Sequence, residues 1–592
     1  MTRRATVRLA SGIFALTLAT ACGDDGGGAA GDGSSSTSGT AAPSSSSTTN
    51  ADATTAGVTS STTAGSSTTD DDSADDSTST GGPAVDPFCG DLGLPAAELL
   101  DGEGSDWGQV AGDFTLETTF GPWSMRDTWT GCDSFVFIND QGSSAAGGLR
   151  NAATTELFER SALNVHYIFL TTSGDTAAGA EAWQTTIGGA LAGLDAAGQA
   201  HWASRVHFVT EASGSVVEFL QARPDQLTFG IDRAQRWDDP GSTSDTTTGA
   251  FAPAAPVLGY TARYYNARHA QDLRLAAQRD VTEVVVLDEY AFEPECEGSC
   301  AGLPNGPFAN SNNWQSWPAA FPDAAAMADF DTMDVVVTAQ CGPSPDADCG
   351  HWDYEAVVNL CETEACDADV HEFIRWITPY ARPGRRRWVF DATHMLGRVR
   401  DGGMHYLQFG MIWNMNPSVW DIRIRLRDTD KGAAVTQTVP TFAGNRGFND
   451  DYNTWEQVEF TPPEGTTKVE FVALISGHGQ DAGNCAEWCE HQHEFTVNGE
   501  TTLLREFPGE VSAQRCGDAV DDGVVPGQWG NWTPGRAGWC PGAPIEPWVV
   551  DITDDVTIGQ PNTLDYRGLF AGVPVQGNRG RIRLSSYLVY SE

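Results

Sequence analysis

The chain has 592 residues, with 80 Asp and Glu against 34 Lys and Arg, a formal net charge of −46 and 13 cysteines. That balance argues against a nucleic-acid partner, because phosphate contacts need clustered Lys and Arg. It fits an exported protein with several cores, for which 19 Trp and 26 Phe supply the material.

Residues 1–21 read as a signal peptide: Arg3, Arg4 and Arg8 precede the apolar stretch "LASGIFALTLATA". Cys22 follows directly and is read as the lipidated cysteine of an outer-membrane or cell-surface lipoprotein; the alternative is a secreted soluble protein with a spare thiol. From Gly23 to Asp86 the sequence has no aromatic residue, Leu, Ile, Lys or Arg and holds ten of the acidic residues. Such a segment cannot bury enough apolar surface to offset its ordering entropy, so residues 22–86 are expected to be a disordered tether. Its coil dimension would be roughly 40–50 Å.

Residues 87–277 alternate β-rich runs, "SFVFIND", "VHYIFLTT" and "RVHFVTEA", with an Ala-rich helical stretch between the last two. This pattern predicts an α/β layer. With "GDFTLETTFGPWSM" as entry segment and "LTFGIDRAQRW" as late hairpin, the order resembles a thioredoxin-like domain. A CxxC is missing after "SFVFIND", where "QGSSAAGG" stands, so no dithiol chemistry is expected of it.

From 278 onward strand-like runs recur with turn residues between them and long amphipathic helices are scarce. The pattern suits two β-sandwiches, 278–428 and 429–592. The twelve cysteines other than Cys22 pair most simply by proximity as Cys296/Cys300, Cys341/Cys349, Cys361/Cys366 and Cys485/Cys489, with Cys516/Cys540 and Cys89/Cys132 completing the set; spacing alone does not fix connectivity.

Three segments could carry chemistry. In "CGPSPDADCGHWDYEAVV", Trp352-Asp353 is expected to open a strand, with Asp353 and Glu355 on one side of it. An Asp among aromatics would be partly desolvated and so suited to acid–base work; the plainer alternative is an exposed loop acid. In "NCAEWCEHQHEFTVNG", Cys485, Cys489, His491 and His493 offer zinc-ligand atoms. The commoner arrangement is a small disulfide ring that fixes the direction of Glu487, with Trp488 beside it as a sugar face or as core. In "GNWTPGRAGWCPG", Arg536 sits between Trp532 and Trp539 and is a donor for a carbonyl or a sugar hydroxyl, or simply a stacked structural Arg.

Together the phrases "CAEWC", "NWTP-RAGWCPG", "C-HWD" and "ITPY", in that family's order over about 280–592, resemble the peptide-N-glycosidase F family of bacterial amidases. The resemblance implies two adjacent antiparallel jelly rolls, a fold shared with the peptidylglycine monooxygenases, and no metal or other cofactor. It places the essential Asp at Asp353, a supporting Glu at Glu487 and the site Arg at Arg536. Trp352 and Trp413 match family site tryptophans, with Trp488, Trp532 and Glu355 as further substrate-binding candidates. It also implies the disulfides Cys341–Cys349, Cys485–Cys489 and Cys516–Cys540. The implied reaction is hydrolysis of the Asn–N-acetylglucosamine amide of N-glycosylated proteins or glycopeptides; apart from the resemblance, a monomer is expected. Two departures stand out: Met411 occupies the place of a family acid, and Tyr354 that of an Arg. They raise the alternative of a catalytically impaired glycan-binding lipoprotein. Copper-dependent monooxygenation, by fold kinship, is more remote, since His491 and His493 are too few for its two-copper set.

Overall fold

The computed structural model describes residues 87–143, 150, 155–242, 254–292, 314–341, 353–380, 382, 384–411, 418–479 and 485–592, all within one compact unit, Thr80–Glu592. The signal and tether, Cys22, Cys296, Cys300, Cys349, Trp352 and Trp413 lie outside the described residues, as do the side chains of Cys341 and Met411. Among the described residues no helix is long and apolar enough to cross a membrane.

The α/β layer is a seven-stranded mixed sheet. Its strands are β1 (Phe114–Thr118), β2 (Gly121–Ser124), β3 (Ser134–Asp140), β4 (Val165–Thr171), β5 (Val206–Gly214), β6 (Thr228–Ile231) and β7 (Trp237–Asp238), in the order β2-β1-β5-β4-β3-β6-β7. The joins β3–β4 and β4–β5 are parallel and the others antiparallel. Every residue of β3 and β4 is buried, as parallel strands covered on both faces must be. The Ala-rich stretch is two helices, Thr176–Leu191 and Ala196–Trp202, because Asp195 caps the second by accepting from the Gly198 amide. Cys132 is tied to Cys89.

The rest is mainly β, in four antiparallel sheets. β8 (Thr282–Phe292), β9 (Trp314–Asp323), β10 (Thr332–Cys341), β11 (Glu355–Cys361), β12 (His371–Ile377), β13 (Arg385–Asp391), β14 (Gly402–Met411) and β15 (Ser418–Arg427) form the sheets β13-β10-β15-β8 and β12-β11-β14-β9. β15 reads "SVWDIRIRLR" and its burial alternates at every position, Trp420, Ile422, Ile424 and Leu426 pointing inward. Trp376 fills the middle of this sandwich, 5.7 Å from Phe409, 5.8 Å from Trp388 and 6.1 Å from Trp420.

The Cys361–Cys366 bridge forms as proximity suggested, but its two ends differ. Cys361 is buried as the last residue of β11, whereas Cys366 is only half-buried, in the turn that leads to β12. The Cys366 amide donates to the Thr363 carbonyl at 3.0 Å and its φ is 46°, a left-handed conformation uncommon for a residue with a Cβ. The Ser316 hydroxyl on β9 donates to Cys366 Sγ at 3.3 Å.

The second sandwich contains β16 (Val435–Gly447), β17 (Val458–Phe460), β18 (Lys468–His478), β19 (His491–Val497), β20 (Thr501–Arg505), β21 (Trp548–Asp551), β22 (Asn562–Phe570), β23 (Val573–Pro574) and β24 (Arg581–Ser591). Its sheets run β16-β24-β18-β21 and β17-β22-β19-β20, with β23 on β22. Strands β18 and β24 are buried on both faces over most of their length. Alternation explains this: Phe471, Ala473 and Leu588 enter the second core, while Val472, Leu474 and Val589 enter the first. The two sandwiches therefore share a wall. Between β20 and β21 the chain forms a long segment with only short helical turns, Arg515–Asp518 and Ala519–Asp522, pinned by Cys516–Cys540.

Removing a large aromatic from a filled core costs its transfer free energy plus that of the cavity. Trp376→Ala is expected to destabilise the protein by about 3–5 kcal/mol, read as a lowered urea midpoint.

Candidate functional site

Three segments distant in sequence meet where the sandwiches join. The first is the Cys485–Cys489 ring, which is formed as expected. The Trp488 and Cys489 amides donate to the Cys485 carbonyl at 2.9 and 2.7 Å, making one tight turn. The turn lies against β18, and only a glycine fits there: a Cβ on Gly477 would stand 2.1 Å from the Ala486 carbonyl oxygen. His491 Nε2 donates to that same oxygen at 3.1 Å. Its Nδ1 is therefore an acceptor and receives His493 Nε2 at 2.8 Å; His493 Nδ1 in turn receives the Tyr566 hydroxyl at 2.7 Å. Both rings are fully buried, and burial pushes His491 down to about 3 and His493 well below its ordinary value. The strand alternation that puts both histidines on one face thus builds a neutral anchor for the turn. Both sulfurs of the zinc alternative are used in the disulfide. Among the described residues no group of three or more His, Cys, Asp and Glu side chains is placed to hold a metal ion.

The second segment is the turn Asn531–Trp539. Arg536 is fully buried, and its amide donates to the Trp539 carbonyl at 3.2 Å. Its Nη1 donates to the Pro534 carbonyl at 2.7 Å and its Nη2 to Asn531 Oδ1 at 2.9 Å. The guanidinium carbon lies 4.2 Å from the centroid of Trp488 and 5.1 Å from that of Trp539. These rings screen the charge from water while leaving its edge for anions.

The third is Asp353, which precedes β11 by two residues rather than opening it. Its side chain is 8% exposed and stands 3.5 Å from Arg536 Nη2. Glu487 Oε1 is 3.6 Å from Arg536 Nε, and neither of these two buried atoms has a hydrogen-bond partner. Glu487 Oε2 is held by the Gly479 amide at 3.2 Å. Acids from separate sandwiches thus converge on one guanidinium. Burial, with Glu487 adding to it and Arg536 opposing it, pushes the Asp353 carboxyl up to about 7.

Two residues not singled out in the sequence complete the group. Tyr380, the last residue of "ITPY", donates to Asn531 Oδ1 at 2.7 Å and is hydrogen-bonded to Asp353; burial pushes its phenol far up, so it stays a donor. Asn531 accepts from both Tyr380 and Arg536 and so fixes their spacing. No periodicity or charge pattern marks either residue. Their position inside the quoted motifs was the one available signal.

Two expected substrate contacts are corrected. Trp532 is fully buried, with its ring edge-on to Tyr260 at 5.8 Å, and has no face to offer a sugar. Glu355 lies on the face of β11 opposite Ala356, Val358 and Leu360, which enter the core, and its carboxylate pairs with His478 at 2.8 Å and Arg581 at 3.3 Å from the second sandwich. Burial alone would raise it; His478 and nearby arginines instead hold it well below the usual carboxylate range. It is an ion-paired interior group and does not join the cluster on Arg536. Cys366 does not join it either: its bridge closes the end of β11 remote from Asp353, so it clips a turn and aims no site residue. Trp488 is half-buried beside the cluster, and Trp529, 61% exposed, donates its amide to the Tyr380 carbonyl at 3.1 Å.

Residues 447–589 match the family model described as peptide-N-glycosidase F, C-terminal. The chain is 24% identical over 268 residues to the peptide-N(4)-(N-acetyl-β-D-glucosaminyl)asparagine amidase F of Elizabethkingia miricola, covering 43% of this chain and 72% of that protein. Among solved structures, PNGase F, a glycosylasparaginase from Flavobacterium meningosepticum, is 19% identical with a TM-score of 0.39, covering 53% of this chain and 96% of its own. PNGF-II is 11% identical with a TM-score of 0.39, covering 55% of this chain and 67% of its own. The "CAEWC" and "RAGWCPG" segments on which the family resemblance was drawn both lie within the residues that match the family's C-terminal model, in the second sandwich.

Because Glu487 is a negative neighbour that disfavours ionisation of Asp353, Glu487→Gln is expected to lower the Asp353 value from about 7. Isotope-edited infrared titration of the carboxyl band would check it, an unchanged midpoint counting against the coupling.

Proposed function

We propose that this chain is a peptide-N-glycosidase that hydrolyses the amide joining Asn to the first N-acetylglucosamine of N-linked glycans. The observation that supports it best is the convergence of Asp353 and Glu487 on buried Arg536. An amide is a weak electrophile, so the site must activate water, stabilise charge on the carbonyl oxygen and protonate the leaving amine.

In this reading ionised Asp353 takes a proton from water as the oxygen attacks the carbonyl carbon. It then gives that proton to the glycosylamine nitrogen as the C–N bond breaks, leaving Asp on the peptide. A value near 7 suits both steps, because the group is half-ionised near neutrality and still a competent acid. Arg536 supplies the positive charge that faces the carbonyl oxygen, in a setting where little water screens it. Glu487 holds the guanidinium and accepts a hydrogen from the attacking water through its unpartnered Oε1. Tyr380, its one proton donated to Asn531, accepts from Asp353 once that carboxyl has taken up the proton. Trp488, with Trp352 and Trp413, remains a candidate for sugar stacking.

The same proposal reads residues 1–21 as an export signal, Cys22 as a lipid anchor, 22–86 as a tether, 87–277 as a thioredoxin-like domain without dithiol chemistry, and 278–428 and 429–592 as the two jelly rolls. The disulfides among the described residues agree with export. N-glycosylated proteins or glycopeptides are the substrates. A second reading, glycan binding without cleavage, rests on Met411: that position on β14 pairs with Ala356 beside the site, and no acid stands there.

Released-glycan analysis on a denatured glycoprotein separates the two, since binding without release favours the second. Asp353→Asn is expected to lower release by about 10²–10⁴-fold while the circular dichroism spectrum is retained. For the wild type, kcat/KM should rise with pH through about 7 as Asp353 ionises. A profile flat from acid to alkali would remove Asp353 as the base.

A further inference from the structure

The site segment between β20 and β21 carries Asn531 and Arg536, yet neither sandwich covers all of it. Its buried side chains, among them Val520, Val525 and Trp532, belong to the same hydrophobic cluster as Tyr260 and Tyr264 of the helix Ala254–Ala277 in the α/β part. The contact is close: a Cβ on Gly517 would come 2.9 Å from the Tyr260 ring. The fully buried Tyr260 hydroxyl donates to Gln514 Oε1 at 3.0 Å and accepts from Arg160 at 3.1 Å, while its ring meets the edge of Trp532. Polar ties surround the ring. Arg263 donates to the Asp518 carbonyl at 2.9 Å and to Asp521 at 3.1 Å, and Arg160 to Asp518 Oδ1 at 3.1 Å. The Ser242 amide donates to the Gly527 carbonyl at 2.6 Å.

From Trp532 the path to the reacting groups is one residue long. Asn531 is its neighbour, and Asn531 Oδ1 holds both Arg536 and Tyr380, which in turn meet Asp353. The segment has no ladder of its own to fix this spacing. Single hydrogen bonds hold its inner side to the sandwiches, from the Trp529 amide to Tyr380, from Ala537 to Glu487 and from Gly542 to Ile377, and the α/β part packs on its outer side.

We propose that the α/β part is a positioning component of the amide-hydrolysing site, in which Tyr260 seats Trp532 and thereby sets the placement of Asn531 and Arg536 against Asp353. The proposal rests on the amidase reading above, but the placement is a property of the fold that can be measured without turnover. Displacing a catalytic group by about 1 Å costs on the order of a hundredfold in rate. A loosened seat therefore lowers kcat more than it raises KM. It also moves Arg536 away from Asp353, and since Arg536 favours the ionised form, the acid limb of the pH profile shifts upward.

The experiment uses the full chain with three variants: Tyr260→Leu, Arg263→Ala at the half-exposed rim of the same contact, and Phe219→Leu. Phe219 is buried in the separate core on the other face of the α/β sheet, so its variant weakens the domain without touching the contact. Each is read by hydrogen–deuterium exchange of peptides covering 510–543 and by steady-state kinetics on a glycopeptide. Tyr260→Leu is expected to speed exchange over Gly535–Ala537 and to lower kcat about tenfold or more with KM changed by less than about threefold; Arg263→Ala should move both in the same direction by less. Phe219→Leu should lower the melting temperature and leave both readouts as in the wild type. The proposal is overturned if Tyr260→Leu and Arg263→Ala leave exchange and kcat unchanged, or if Phe219→Leu reproduces their losses. If the wild type releases no glycan the amidase reading fails, and exchange alone then decides the positioning claim.

Discussion

Arg536 has no access to water and is shared by two carboxylates that come from different sandwiches. One guanidinium balances one negative charge, so the second acid must either stay protonated or sit uncompensated in a poor dielectric. Burial is the first reason Asp353 is pushed up to about 7; the neighbouring Glu487 adds to it and Arg536 opposes it. The geometry also locks the architecture. Removing one partner from such a buried set typically costs about 3–5 kcal/mol, because the remaining charge loses its compensation. The contact that acts on the Asp353 charge therefore also holds the two halves in register.

The shared wall makes that register possible. β18 and β24 give alternate side chains to two cores, so the sandwiches cannot slide past one another without emptying both. The Cys485–Cys489 turn sits just beyond the end of this wall, at Gly477 and His478, and the Arg536 turn docks on it where the Ala537 amide donates to the Glu487 carbonyl at 2.9 Å. Rigid strands thus fix the site from below, and irregular segments carry the functional groups across the top.

Much of this was legible in the sequence. Strand alternation gave the β-rich half, and the two cysteine-framed acids and the Gly/Pro-bound Arg named the groups that meet. What alternation could not decide was which partner each inward residue would find. Glu355 and Asp353 were expected on one strand face, but His478 and Arg581 arrive from the other sandwich and claim Glu355. Trp532 and Trp488 look alike as lone tryptophans in polar loops; one is sealed by a helix nearly three hundred residues earlier in the chain, and that contact leaves no local signal. Likewise the short rings Cys361–Cys366 and Cys485–Cys489 look alike by spacing, and only the fold brings the second one to the site. Tyr380 and Asn531 matter because of hydrogen bonds to distant residues, which composition and spacing do not encode. His491 and His493 offered zinc-ligand atoms, yet their nitrogens are used by each other, by the Ala486 carbonyl and by Tyr566.

The neutral histidines have a consequence for where such a protein can work. Unfolded, these rings take up protons below about pH 6.5. Folded, His491 does not until about 3, and burial likewise lowers His207 to about 3 and His394 to about 4. Across that window the unfolded chain binds more protons than the folded one, so each step of acidification favours unfolding, and stability returns as pH rises. The α/β layer and both sandwiches each hold one of these rings. The acid limit of the whole molecule is thus written into its interior, and redesigning surface charge alone would not carry it into an acidic vacuole or a fermenting medium.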